Sequence, residues 1–244
     1  METKEKVLLV VGCSHAAGAE INGIFESKYN REHSFGNVLA NKLGYRPVNL
    51  GSSGATNATI SRTVIEWIER FYNPTTMELF VLCAWTESTR IEVPVENPVW
   101  YHEPDTYSDY KSKTYHLFHR LNLGINESDG FPKELLKYQK FMTENQTFLQ
   151  IYTANLVLQI QYYLKSKNIN YLMVNTMHMF DRNEYINFYL KQIDYKKYMN
   201  PLNNNSSFYW YYKNKGYENT KAEYWHHNEI PHNLYAEKMF NFLQ

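Results

Sequence analysis

Five consecutive apolar residues, Val7, Leu8, Leu9, Val10 and Val11, end at Gly12. A run of this length and branching predicts a strand buried on both faces, the kind found inside a parallel sheet. The period then changes. Over residues 34–43, Phe35, Val38, Leu39 and Leu43 fall at helical intervals, and Gly44 supplies a C-cap. Residues 46–50 form a short second strand that breaks into the loop Gly51-Ser52-Ser53-Gly54. Ile60, Val64, Ile65 and Ile68 give a helix over 56–71 one apolar face, and residues 77–85 are a third, almost wholly apolar strand. The order β-α-β-α-β predicts a doubly wound α/β fold: a three-layer α/β/α sandwich around a central parallel sheet.

Beyond residue 94 the regularity fades into a polar, aromatic insertion that reaches about residue 136 and carries Trp100, Tyr101, Tyr107, Tyr110, Tyr115 and Phe118. Loops over the carboxyl edge of a sheet set specificity, so this insertion reads as a lid on the core or as a wall facing sugar rings. A long helix over 137–167, a fourth strand over 171–175 and a helix within 181–198 follow. Residues 201–207 form a loop, Phe208 to Tyr212 read at least as well as a buried strand, and a last helix covers 232–243. No interdomain linker and no internal repeat interrupts the series, so residues 1–244 are expected to form one domain.

With 43% hydrophobic and 20% charged residues in 244, the chain has the balance of a folded domain rather than a disordered one. Lysine plus arginine equals aspartate plus glutamate at 25 each. Without a net basic field, roles built on nucleic acid or anionic membranes lose their electrostatic basis. Cys13 and Cys83 lie in strand-like runs and are expected to be reduced core residues. The run 7–11 is shorter than the roughly 7–15 apolar residues of a signal peptide, and no stretch approaches the roughly 20 needed to span a bilayer. A cytoplasmic protein is the expectation, with incorporation into a virus particle compatible with it. The aromatic share of 16%, including 22 Tyr and 5 Trp, is the compositional excess to be placed.

Ligands of open α/β sheets bind beyond the carboxyl ends of the strands. Ser14 and His15 follow the first strand, Gly51 to Thr56 the second, and Trp85, Thr86, Glu87 and Arg90 the third. Near the C-terminus, residues 223–232 supply Glu223, His226, His227, Glu229 and His232. Together they contain a serine nucleophile, small-residue loops whose N–H groups can face an oxyanion, and a histidine–carboxylate base. A metal site is not indicated, because His226 and His227 are sequence neighbours and no further ligand cluster accompanies them. A phosphate-binding loop is not indicated either, for want of its glycine spacing and lysine.

These segments resemble the blocks of the SGNH hydrolases, the GDSL esterase/lipase superfamily. Gly12-Cys13-Ser14 is similar to the Gly-Asp-Ser block, with Cys for Asp. Asn49, Gly54 and Thr56 match the second block, Asn-x-x-x-x-Gly-x-Thr, and Glu223, His226 and Ala236 match the spacing of the last. The blocks stand in the family's order across nearly the whole chain. The resemblance implies a flavodoxin-like SGNH fold in which Ser14 attacks an ester, His226 is the base and Glu223 orients it. The oxyanion would be received by the N–H groups of Ser14 and Gly54 and by Thr86. Trp85, His15 and Arg90 flank that centre as candidate substrate-binding residues, although Arg90 is equally readable as a loop salt bridge to Glu92. A second register, Glu229 with His232, has the same acid-to-histidine spacing.

The third block departs most: Ala84-Trp85-Thr86-Glu87 replaces Gly-x-Asn-Asp, so the Asn that donates to the oxyanion is absent. The resemblance implies a serine esterase for small O-acyl esters that needs no metal or organic cofactor, and the aromatic content together with the lack of a long aliphatic run in the insertion points to acetyl esters of carbohydrate. The alternative is a non-catalytic binding or structural module on the same fold, of the kind a virion could carry.

Overall fold

The apolar runs become the strands of one parallel sheet. The computed structural model describes residues 3–25, 27–94, 118–121, 133–177, 180–217 and 226–244. In chain order its elements are β1 (Glu5–Gly12), α1 (Ser14–Ala17), α2 (Lys28–Glu32), α3 (Phe35–Leu43), β2 (Arg46–Asn49), α4 (Asn57–Phe71), β3 (Met77–Trp85), β4 (Ile91–Pro94), β5 (Phe118–Leu121), α5 (Lys133–Glu144), α6 (Gln146–Ser166), β6 (Asn170–Asn175), α7 (Glu184–Leu190), α8 (Phe208–Lys213) and α9 (Glu229–Leu243). The main sheet runs β2-β1-β3-β6, and all of its pairings are parallel. β4 and β5 pair antiparallel in a separate two-stranded sheet.

Strand alternation explains why the strands read as continuous apolar runs. Val7, Leu9 and Val11 of β1, Val81, Cys83 and Trp85 of β3 and Met173 of β6 face one layer, packed on Ile60, Val64 and Trp67 of α4 and Val157, Ile160 and Leu164 of α6. Leu8, Val10, Leu82, Ala84, Leu172 and Val174 face the opposite layer, where α3 supplies Phe35 and Leu39 and α9 supplies Tyr235, Ala236 and Met239. With both faces covered, the central positions of these strands are apolar and their polar residues sit toward the strand ends. The result is the α/β/α sandwich expected from the sequence. Cys13 and Cys83 are free and buried as expected, and burial pushes the Cys83 thiol up.

Three elements differ from expectation. The helix expected over 137–167 is two helices, because Asn145 leaves helical geometry (φ −101°, ψ 52°) and its Nδ2 donates to the Phe141 carbonyl at 2.6 Å, closing α5. The helix expected within 181–198 stops at Leu190. The chain then runs along the edge of β6, where Met173 donates to the Lys197 carbonyl (2.8 Å) and Met199 to the Met173 carbonyl (2.9 Å), and so covers that edge. Residues 208–213 form a helix rather than a strand: Phe208, Tyr209 and Tyr212 share a buried face at helical spacing. The aromatic insertion proposed as a lid lies almost wholly outside the described residues.

Candidate active site

β1 sits at the point where the strand order reverses, with β2 on one side and β3 on the other. This is where an open α/β sheet leaves a crevice at its carboxyl edge. Gly12 ends β1 where a side chain would clash, since a Cβ there would lie 2.6 Å from the Ala16 Cβ and 2.8 Å from the Ala84 carbonyl oxygen. The close approach lets the chain turn directly into α1, whose first residue is Ser14. Behind it, Thr176 donates both its N–H (2.7 Å) and its hydroxyl (2.8 Å) to the Trp85 carbonyl. That hydroxyl can then only accept from the Cys13 thiol, 3.3 Å away. Cys13 thus ties the ends of β1, β3 and β6 together.

Ser14 Oγ lies 2.9 Å from His226 Nε2, and His226 Nδ1 lies 2.5 Å from Glu20 Oε2. A carboxylate only accepts, so Nδ1 carries the proton and the Nε2 lone pair receives the Ser14 hydroxyl. Ser14, His226 and Glu20 are 7%, 6% and 1% exposed, and the chain is thus sealed from bulk water at its inner end. Burial lowers the His226 pKa below the ordinary histidine value. Glu20 opposes this, while Arg90 and His227 add to it. The imidazole is therefore neutral near pH 7, the state in which it can take a proton.

Glu20 holds this position at a backbone cost. Its φ is +60°, a conformation unusual outside glycine, and the loop closes on itself through Glu20 N–H to the Phe25 carbonyl (3.0 Å) and Gly23 N–H to the Glu20 carbonyl (2.9 Å). Sequence reasoning did not single out Glu20, because this carboxylate reaches His226 from a turn beside the serine, at no fixed offset from the histidine. The available signal was an isolated acid in the small-residue stretch Gly18-Ala19-Glu20. Glu223, the expected acid, lies outside the described residues.

The second loop is fixed from behind. Asn49 Nδ2 donates to the Ala16 carbonyl and to Ser34 Oγ, each at 2.9 Å, while its Oδ1 accepts the Gly51 N–H at 2.9 Å. The buried guanidinium of Arg31 donates to the carbonyls of Asn49 (2.9 Å) and Gly51 (3.0 Å). Ser52 N–H reaches the Gly12 carbonyl at 3.0 Å, which brings this loop onto the end of β1, and Gly54 takes φ +71°. On the other side Asn57 clamps Thr86: its Oδ1 accepts the Thr86 N–H at 2.9 Å and its Nδ2 donates to the Thr86 carbonyl at 3.1 Å. The Thr86 hydroxyl, fully buried, has no hydrogen-bond partner among the described residues.

The remaining candidates separate. His15 packs beside His226 with ring centroids 4.8 Å apart and contacts Phe208 and Tyr209; burial, then the neighbouring histidines and Arg90, hold it well below the ordinary histidine value. Trp85 is fully buried in the layer under α4 and α6, so it packs the core instead of lining a substrate crevice. Arg90 pairs with Glu87 (2.8 Å) and not with Glu92, which is held by Arg62, Thr56 and Thr59. The second register is kept away from Ser14: His232 Nδ1 accepts the Phe35 N–H at 3.1 Å, and Glu229 accepts from the Tyr29 hydroxyl at 2.7 Å. The nitrogens of His227 lie 3.1 and 3.0 Å from the Tyr217 and Tyr209 carbonyls. Among the described residues no group of His, Cys, Asp and Glu is placed to hold a metal, and no helix is long and apolar enough to cross a membrane.

No family model and no curated protein sequence matches the chain. Among solved structures it is similar to a member of the lipolytic protein G-D-S-L family from Veillonella parvula, with 11% identity, 97% of each chain covered and a TM-score of 0.45. It is also similar to the psychrotrophic esterase EstA from Pseudoalteromonas, with 13% identity, 97% of this chain and 96% of that chain covered, and a TM-score of 0.39.

Proposed function

We propose that this chain is a divergent SGNH-type serine hydrolase that cleaves small O-acyl esters. The single observation that carries the reading is the unbroken hydrogen-bonded series Ser14, His226, Glu20 at the carboxyl edge of the sheet. In this reading Ser14 Oγ forms a bond to the ester carbonyl carbon while its proton passes to His226 Nε2, and Glu20 stabilises the imidazolium without taking the proton. The oxyanion is received by the N–H groups of Ser14 and Gly54 and by the Thr86 hydroxyl, which replaces the absent block-three Asn. Collapse breaks the ester C–O bond, and the leaving alkoxide takes the proton from His226. Water then adds to the acyl-enzyme through the same base, releasing the acid and restoring Ser14. His15, packed on the His226 ring, keeps a second positive charge out of the site by remaining neutral.

Acetyl groups on carbohydrate are the substrate class proposed, because the chain is rich in aromatic side chains and its insertion lacks a long aliphatic run. Hydrolysis of 4-nitrophenyl acetate and acetate release from a panel of O-acetylated sugars test the reading. Turnover is expected from the wild-type chain and not from Ser14→Ala. Absence of turnover on every ester would favour the non-catalytic binding module.

A further inference from the structure

The loop after β3 holds more polar groups than the ester chemistry uses. Arg90 is drawn in to 12% side-chain exposure, and its Nε donates to Glu87 Oε1 at 2.8 Å. Among the described residues no protein acceptor meets its Nη1 or Nη2. Glu87 therefore occupies the Nε side of the guanidinium and orients it, leaving the two-pronged Nη edge that matches a carboxylate. Besides the Thr86 hydroxyl that the oxyanion role uses, the Thr89 hydroxyl of the same loop and Nδ1 of His15 are buried without hydrogen-bond partners among the described residues. Folded proteins seldom leave several such groups together unless something else completes them. The Arg90 charge also reaches the Ser14 centre, since it contributes, after burial, to the lowered pKa of both His15 and His226.

Resting on the esterase reading, we propose that the substrate carries a carboxylate near the scissile ester and that the Nη edge of Arg90 receives it. A singly charged carboxylate fits better than a doubly charged phosphate, because Glu87 already supplies one negative charge to the pair. Burial to 12% strengthens the contact relative to one made in open water.

Acetylated glucuronic acid and acetylated glucose, which differ by one carboxylate, provide the test. Wild-type protein is expected to favour the glucuronate ester in kcat/KM by about 10–100-fold, the usual worth of a hydrogen-bonded charge. Arg90→Gln is expected to bring that ratio close to one, and Arg90→Lys to retain part of it. A wild-type ratio near one, a ratio that survives Arg90→Gln, or an equal fall on both substrates would overturn the proposal, the last by placing Arg90 on the transition state. Should Arg90→Gln fail to fold, calorimetry of free glucuronate on Ser14→Ala decides the matter: saturable binding, absent with glucose and with glucuronate at high salt, is expected, and no binding overturns it. Inactivity on both esters without phosphonylation of Ser14 would instead remove the esterase reading, leaving the glucuronate titration to judge the anion site by itself.

Discussion

Glu20 and His226 are separated by 206 positions in the chain, and their side chains meet at 2.5 Å. The carboxylate fixes the tautomer in which Nε2 faces Ser14, so the imidazole can act only as a base toward that hydroxyl. Glu20→Gln keeps the shape but presents an amide, which can hold the wrong tautomer. The expected outcome is a fall in kcat on the order of 10³–10⁴ with the fold retained, read from ester turnover and circular dichroism. The same measurement on Glu223→Gln assigns the acid, and the larger loss is expected at Glu20.

The lowered pKa of His226 predicts the acid limb of activity. The base works when neutral, so kcat/KM is expected to hold from pH 8 down through 6.5 and to fall only at more acidic pH. A midpoint at or above 6.5 in a pH–rate profile would contradict this lowering.

Stability should carry a related signature. His15 and His232 are both held well below the ordinary histidine value, first by burial. In the unfolded chain they protonate near pH 6.5, whereas in the native protein they do not, so the unfolded state binds more protons below that value. Stability is therefore complete above about pH 6.5 and falls on acidification, with a slope of up to about 1.4 kcal/mol per pH unit for each histidine. Urea unfolding between pH 7.5 and 5 measures that slope. A stability that is flat or rises on acidification would count against it.

Much of this was readable from residue order alone. The apolar run at 7–11 and the almost wholly apolar run at 77–85 read as strands covered on both faces, and the small residues after them mark the crevice. Ser14, Gly54, Thr86 and His226 were singled out because they follow strands or stand at the family spacing. The contact of Glu20 with His226 was not readable, because a turn at positive φ can deliver a carboxylate from any nearby position and leaves no fixed offset from the histidine. Asn145 shows the same limit on a smaller scale: one local side-chain bond ended a helix that periodicity alone would have continued. The pairing of Arg90 with Glu87 instead of Glu92 was likewise set by tertiary competition, since Glu92 is claimed by Arg62 on α4.

In the proposed reading the Thr86 hydroxyl, buried and without a hydrogen-bond partner among the described residues, is the third oxyanion donor. Thr86→Val preserves shape and removes the donor, and kcat is expected to fall about 10²-fold with KM little changed. Thr86→Ser should recover most of the rate. Equal loss in both variants would show that shape rather than donation matters at this position.

Gly12→Ala probes the close approach that aims Ser14. The added Cβ would meet Ala16 at 2.6 Å and the Ala84 carbonyl oxygen at 2.8 Å, contacts that force the end of β1 away from β3. A loss of about 1–3 kcal/mol in unfolding free energy is expected, the usual range for overpacking a tight core. Because α1 follows at once, ester turnover should fall as well.

The central claim is that Ser14 is a nucleophile activated by His226, 2.9 Å away. Intact-mass measurement after incubation with a fluorophosphonate, followed by peptide mapping, tests it without assuming any substrate. One phosphonyl adduct on Ser14 is predicted for the wild-type chain, no adduct for Ser14→Ala, and a much slower reaction for His226→Ala. An unmodified wild-type chain, or an adduct on another residue, would contradict the account.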